Sequence, residues 1–100
     1  MLLSNFTFNL SISHSELFQI WLKQEIEQSI NKNPLVVEIK TFRLLTEVHG
    51  DGHTFSVQFF FHNYEDFLAF ELNFRDLFLA NADRRFAGNY AFFHTLLQTL

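Results

Sequence analysis

Apolar and polar residues alternate along the first segment of the chain: Phe6, Phe8 and Leu10 fall on one side, and Asn5, Thr7 and Asn9 on the other. A period of two sends neighbours to opposite faces of an extended backbone, so Leu2 to Leu10 predicts a half-buried strand. The period then changes to that of a helix, with Leu17, Phe18, Trp21, Leu22, Ile26 and Ile30 recurring at helical spacing. Ser13, with Glu16 three residues on, has the form of a capping box at the start of this helix. The helix is expected to end near Ile30, because Pro34 in Asn31-Lys32-Asn33-Pro34 disfavours helical geometry at the residue before it.

From Leu35 to Val48 the pattern is again that of a strand, but its parity switches. Leu35, Val37 and Ile39 are apolar at odd positions, whereas Phe42, Leu44 and Val48 are apolar at even ones. A regular strand cannot present both sets to one core, so a β-bulge is expected near Lys40-Thr41. Gly50-Asp51-Gly52 reads as a hairpin turn, after which Phe55, Val57, Phe59 and Phe61 resume the alternation. A two-residue Asp51-Gly52 turn sets Val48 opposite Phe55, Thr46 opposite Val57 and Leu44 opposite Phe59. It is preferred to a three-residue turn, which sets Leu45 against Val57 and Arg43 against Phe59, because it keeps apolar residues together.

Asn63 is a natural N-cap, with Asp66 placed at the positive end of the next helix. Phe67, Phe70, Phe74, Leu77 and Phe78 form that helix's core stripe, and Leu68, Leu72 and Leu79 widen it towards a possible contact with another chain. The helix is expected to end between Asn81 and Asn89, before a last strand from Tyr90 to about Thr99 whose adjacent pairs Phe92-Phe93 and Leu96-Leu97 suggest partial burial on both faces.

The predicted order is β-α-β-β-α-β. This is the ferredoxin-like arrangement of the α+β class: a four-stranded antiparallel sheet with both helices on one face. Residues 1–100 are expected to form a single domain, since a chain of this length supports one core. The open sheet face is expected to carry Asn5, Thr7, Asn9, Arg43, Leu45, Glu47, Ser56, Gln58, Phe60, His62 and one side of the last strand. Its mixed polarity suits a face-to-face homodimer better than full exposure.

Composition sharpens this picture at three points. Phenylalanine supplies 15 of 100 residues, more aromatic surface than one small core readily hides, so some of it is expected to meet a partner. With no cysteine there is no disulfide frame, thiolate nucleophile or Cys-based zinc site. The net charge of −4 argues against a nucleic-acid surface. An RNA-recognition domain shares the element order, but Ser56 stands where its third strand would need a stacking aromatic. Apolar runs such as Leu77-Phe78-Leu79-Ala80 are far shorter than a membrane span. Met1 to Ser13 lacks the basic region of a signal peptide, so a cytoplasmic location is expected, and the Asn5-Phe6-Thr7 and Asn9-Leu10-Ser11 glycosylation triplets are then without meaning.

Several stretches resemble a known family. Asn5-Phe6-Thr7-Phe8-Asn9, Phe42-Arg43-Leu44-Leu45, Ser56-Val57-Gln58-Phe59-Phe60, and the ending from Arg85-Phe86-Ala87-Gly88 to Phe93-His94-Thr95-Leu96-Leu97 look like the small bacterial family called domain of unknown function 4286. This chain carries His94 where that family usually has Arg, and Ala87 where it usually has a second Gly. The resemblance implies a ferredoxin-like domain similar to dimeric α/β-barrel proteins, with no assigned reaction and no catalytic residues to carry over.

The residues themselves offer four candidate chemistries. His49, Asp51 and His53 crowd the expected turn and could bind a metal, although an exposed polar turn accounts for them as well and no further ligand lies nearby in sequence. His62 and His94 are candidate general bases, since imidazole titrates near neutrality; the alternatives are a strand-end residue for His62 and a hydrogen-bonded interface residue for His94. Arg43 could clamp a ligand carboxylate, and Arg84-Arg85 could hold an anion, or each could form a surface ion pair. No P-loop, dinucleotide fingerprint, nucleophile elbow or HExxH zinc motif occurs, and no cofactor is expected. The leading expectation is a homodimeric interaction or small-ligand-binding domain. The alternative is a cofactor-free dimeric-barrel enzyme acting on a hydrophobic metabolite, with His94 or His62 as base.

Overall fold

The computed structural model describes residues 1–46 and 52–100. Strand β1 covers Leu2–Leu10, and a single 3₁₀ turn, Ile12–His14, leads into helix α1, Ser15–Glu25, which continues through a wide π-type turn over Ile26–Ile30. Strand β2 (Glu38–Arg43) and strand β3 (His53–Phe61) follow. Helices α2 (Tyr64–Phe70) and α3 (Asp76–Phe86) are joined without a break by a second π-type segment, Glu71–Arg75, and strand β4 spans Tyr90–Gln98. The sheet order is β2-β3-β1-β4, with β1 antiparallel to both β3 and β4, and β2 antiparallel to β3. The fold is therefore the ferredoxin-like α+β arrangement the periodicity called for.

The core lies between the sheet and the helices. Phe6, Phe8 and Leu10 of β1 and Phe55, Val57, Phe59 and Phe61 of β3 are buried beneath Phe18, Trp21 and Leu22 of α1 and Phe67, Phe70, Phe78 and Phe86 of the second helical run. Aromatic rings meet edge-to-face, tilted and stacked: Phe59 stands perpendicular to Phe78 at 5.9 Å and lies tilted 5.2 Å from Phe70, and Trp21 stacks on Phe78 at 5.7 Å. Such contacts add to the area term that dominates burial.

Local signals held where one residue sufficed. Asn63 caps α2 as expected, its side-chain oxygen accepting the Asp66 amide at 2.8 Å. Gly88 adopts φ +80° in the reversal after α3, a conformation that favours glycine. Ala87 before it has φ −50°, which any residue adopts, so the second glycine usual in the family is not needed here. The capping box does not form: α1 starts at Ser15, and the Ser13 hydroxyl bonds His14 Nδ1 at 2.9 Å instead. Leu17 and Leu77, expected in the core stripes, are 58% and 59% exposed.

The larger differences concern β2. It is six residues long and pairs with β3 in unbroken register from Glu38 opposite Phe60 to Arg43 opposite Phe55. There is no bulge at Lys40-Thr41, and Phe59 faces Ile39 rather than Leu44. The parity switch is resolved otherwise: Ile39 keeps the inward face, Phe42 turns outward, and the strand ends before Leu44 and Leu45. Both hairpin registers considered above are thus overturned; the turn residues Gly50 and Asp51 and the partner Val48 lie outside the described residues. Strand β4 is an edge strand whose residues are mostly exposed, with His94 and Thr95 half-buried on its two faces.

This register also redraws the open sheet face. Arg43 lies on the helix side, opposite Phe55; Leu45 is past the end of β2, His62 is past the end of β3, and Glu47 is outside the described residues. In their place β2 contributes Glu38, Lys40 and Phe42, beside Thr54, Ser56, Gln58 and Phe60 of β3, with Asn5 and Thr7 of β1 and Phe93, Thr95 and Leu97 of β4. Among the described residues no helix is long and apolar enough to cross a membrane.

Candidate functional site

Two places on the helix side of the sheet gather polar groups. The first is under the second π-type segment. Register places Ser4 of β1 beside Leu96 and Phe6 beside His94 of β4, so Ser4 and His94 share the inward face. Ser4 is fully buried, and its hydroxyl lies 2.7 Å from His94 Nε2. The imidazole is packed 4.6 Å from the Phe6 ring and stacks parallel to Phe67. Glu71 Oε1 lies 3.5 Å from the same Nε2, and Glu71 Oε2 lies 3.6 Å from Arg75 Nε one turn on.

Burial pushes the His94 pKa below the ordinary imidazole value of 6.5; the Glu71 carboxylate opposes this and the Arg75 guanidinium adds to it. The ring is therefore neutral near pH 7. A single nitrogen carries either one proton or one lone pair, so Nε2 cannot serve Ser4 and Glu71 together when neutral. In accord with this, Glu71 Oε1 has no hydrogen-bond partner among the described residues. A nucleophilic triad needs its acid on the nitrogen opposite the hydroxyl, and a reachable hydroxyl; here both groups meet Nε2, and Ser4 is sealed from solvent.

Sequence reasoning singled out His94 but missed its partners. Ser4 did leave a trace, as the one polar residue in an otherwise apolar inward series of β1, and Glu71 and Arg75 as an opposite-charge pair four residues apart.

The second place is a cleft of about 600 Å³ between α1 and β2. Leu22, Ile26, Ile39 and Phe55 form its apolar floor, with Phe42 at the rim, and Lys23, Arg43, Gln19, Thr41, Glu27 and Asn31 supply polar groups. Arg43 reaches it because β2 presents Ile39, Thr41 and Arg43 on the helix side. Neither this cleft nor a smaller groove of about 370 Å³ beside Trp21 is lined by His62 or His94.

The remaining candidates are dispersed. His62 is exposed between β3 and α2. His53 Nδ1 lies 2.7 Å from the buried Ser15 hydroxyl, so this imidazole ties the start of β3 to the start of α1. His49 and Asp51, the other proposed metal ligands, lie outside the described residues, and no group of three or more potential ligands occurs among those described. Arg84 and Arg85 are exposed in the last turn of α3, where positive charge complements the helix dipole.

Comparison with known proteins agrees with the fold. A family model described as domain of unknown function (DUF4286) matches residues 1–100. No curated protein matches the sequence. Among solved structures, a dimeric ferredoxin-like protein from an uncultured marine organism is similar with a TM-score of 0.79 and 14% identity, over 99% of this chain and 94% of that one. SnoaB, a cofactor-independent oxygenase from Streptomyces nogalater, is similar with a TM-score of 0.66 and 12% identity, over 98% and 92% of the two chains. A hydroxynitrile lyase from Passiflora edulis is similar with a TM-score of 0.59 and 22% identity, over 99% and 95%. These likenesses speak to the fold alone, and the differing reactions in those names illustrate why fold does not fix function.

Proposed function

The chain belongs to the family of domain of unknown function 4286, and from that premise and the open sheet face we propose a cytoplasmic, single-domain homodimeric interaction module whose two sheets pack face to face. The observation that carries the reading is the composition of that face. Phe93 is 60% exposed, Phe42 50% and Leu97 45%, and between them stand short hydrogen-bonding side chains. Large aromatics left in water on an otherwise well-filled core cost free energy that a second copy recovers.

Several polar groups of this face have partners within the chain. Asn5 accepts from the Ser56 hydroxyl at 2.5 Å and donates to Thr7 at 3.1 Å, and Lys40 sits 5.3 Å above the Phe60 ring. Burying them therefore strands few unsatisfied groups.

Size fits as well. Strands up to nine residues long in a sheet of four present roughly 500 Å² in projection at the usual ~4.8 Å strand spacing and ~3.3 Å rise. Accessible area exceeds projected area, so two copies approach the ~1,200–2,000 Å² of a stable interface. The dimeric ferredoxin-like neighbour supports the same assembly by its name. The enzymatic alternative has less support, since His94 is wedged between Phe6 and Phe67 and borders neither cleft.

Sedimentation equilibrium at tens of micromolar tests the proposal: the expected mass is twice the 11.9 kDa of the chain. A monomer at that concentration would sink it.

A further inference from the structure

We infer that the cleft between α1 and β2 is a binding site for a small amphipathic organic anion, a single carboxylate carried on an apolar body. The argument starts from what the cleft leaves unpaired. Among the described residues, the ion pairs are Lys40 with Glu38, Arg75 with Glu71, and His94 with Glu71. Arg43 and Lys23 have none there, yet both line the same cleft. Two cations without an ion pair among the described residues, against the one carboxylate of Glu27, leave this concavity with an excess of positive charge that is complementary to an anion.

Topology separates the cleft into a basic and an acidic end. Strands β1 and β2 are both antiparallel to β3 and so run parallel, and α1 returns between them in the opposite direction. The level is fixed by Phe18 of α1, which packs 5.5 Å from Phe55, the residue opposite Arg43. Gln19 therefore stands at the Arg43 end, Lys23 near the level of Thr41, and Glu27 and Asn31 towards the Ile39 end. Between the ends lie Leu22, Ile26, Ile39 and Phe55.

This layout reads the ligand's chemistry directly. The guanidinium of Arg43 offers a planar fork for one carboxylate, with the Lys23 ammonium lining the same cleft and the Thr41 and Gln19 side chains as further polar partners. The apolar floor takes a hydrocarbon or aryl body, and Glu27 at the far end disfavours a second negative charge. A volume of about 600 Å³ lies within the range of small-molecule sites. The cleft is on the helix side of the sheet, so the site stands whether or not the opposite face dimerises.

The test is a ¹⁵N-¹H titration of the full chain with 4-phenylbutyrate, and with 4-phenylbutanamide as its uncharged counterpart. Saturable shifts are expected at the amides of Lys23, Thr41 and Arg43 with the acid, and binding about tenfold weaker with the amide, the worth of a charge-assisted contact. Arg43→Gln, an exposed substitution that leaves the spectrum otherwise intact, is expected to weaken the acid by a similar factor and the amide little. The inference falls if the acid produces no saturable shifts at millimolar concentration, if acid and amide bind alike, or if Arg43→Gln leaves the acid unaffected.

Discussion

A methyl group added to Gly52 would lie 2.6 Å from the Leu10 carbonyl oxygen and 2.8 Å from Asn9 Oδ1. The asparagine can swing aside, but the carbonyl belongs to the end of β1 and moves only with the strand. Glycine is needed here for close approach of two strand ends, not for a left-handed turn. Gly52→Ala is accordingly expected to destabilise the fold by about 1–3 kcal/mol, the usual cost of overpacking, measured by urea unfolding; an unchanged midpoint would mean the strand ends do not approach so closely. Phe59 is the counterpart inside the core. It is fully buried and its ring meets Phe6, Phe70, Phe74 and Phe78. Phe59→Ala is expected to cost about 3–5 kcal/mol by transfer and cavity terms together, and a loss below about 1 kcal/mol would place that ring outside the core.

At the scale of elements, the His94 cluster depends on a helix delivering charge to a strand. Burial and Arg75 hold the imidazole below 6.5 and Glu71 resists, so an NMR titration of His94 is expected to give a midpoint below 6.5. Glu71→Gln should lower it further and Arg75→Gln should raise it; equal midpoints in all three proteins would refute the arrangement. The sign carries over to stability. A histidine whose folded pKa is depressed contributes stability above its unfolded pKa that is lost as pH falls through the folded value, so His94→Gln should flatten the decline of stability below about pH 6.5 by less than one proton.

Elements that bury a single face were legible from the sequence: β1 and β3 by their alternation, the two helical runs by their stripes, α2 also by its cap. Strand β2 was not. Its apolar residues are divided between core, open face and loop, and the register that sorts Ile39 from Phe42 is set by β3, not by local pattern. Arg43 was read as facing out for that reason. The partners of His94 were hidden by distance: Ser4 is 90 residues away, and only the β1–β4 pairing joins them.

For the whole molecule the decisive question is which of its faces is meant to be covered. Exposed apolar side chains occur on both sides: Phe93 on the open sheet and Leu72, 85% exposed, on the helical layer. They differ in company. Leu72 has Leu68, 41% exposed, one turn before it on the same helical run, a pair of leucines set along one helix. Phe93 ends the cross-strand row Phe42, Ser56, Thr7, Phe93, on a face that also presents Phe60 and Leu97, so four large apolar side chains share that face with short polar ones. Introducing a carboxylate into a desolvated interface buries an unpaired charge, and a two-fold pair does so twice, once from each copy. Phe93→Asp is therefore expected to yield a folded monomer at tens of micromolar, with an unchanged far-UV spectrum and half the sedimenting mass of the parent. Leu72→Asp, at the more exposed site, is expected to leave the dimer intact. If Phe93→Asp still dimerises, or if Leu72→Asp dissociates the protein, the open sheet is not the interface and the aromatic excess of this chain serves its helical side instead.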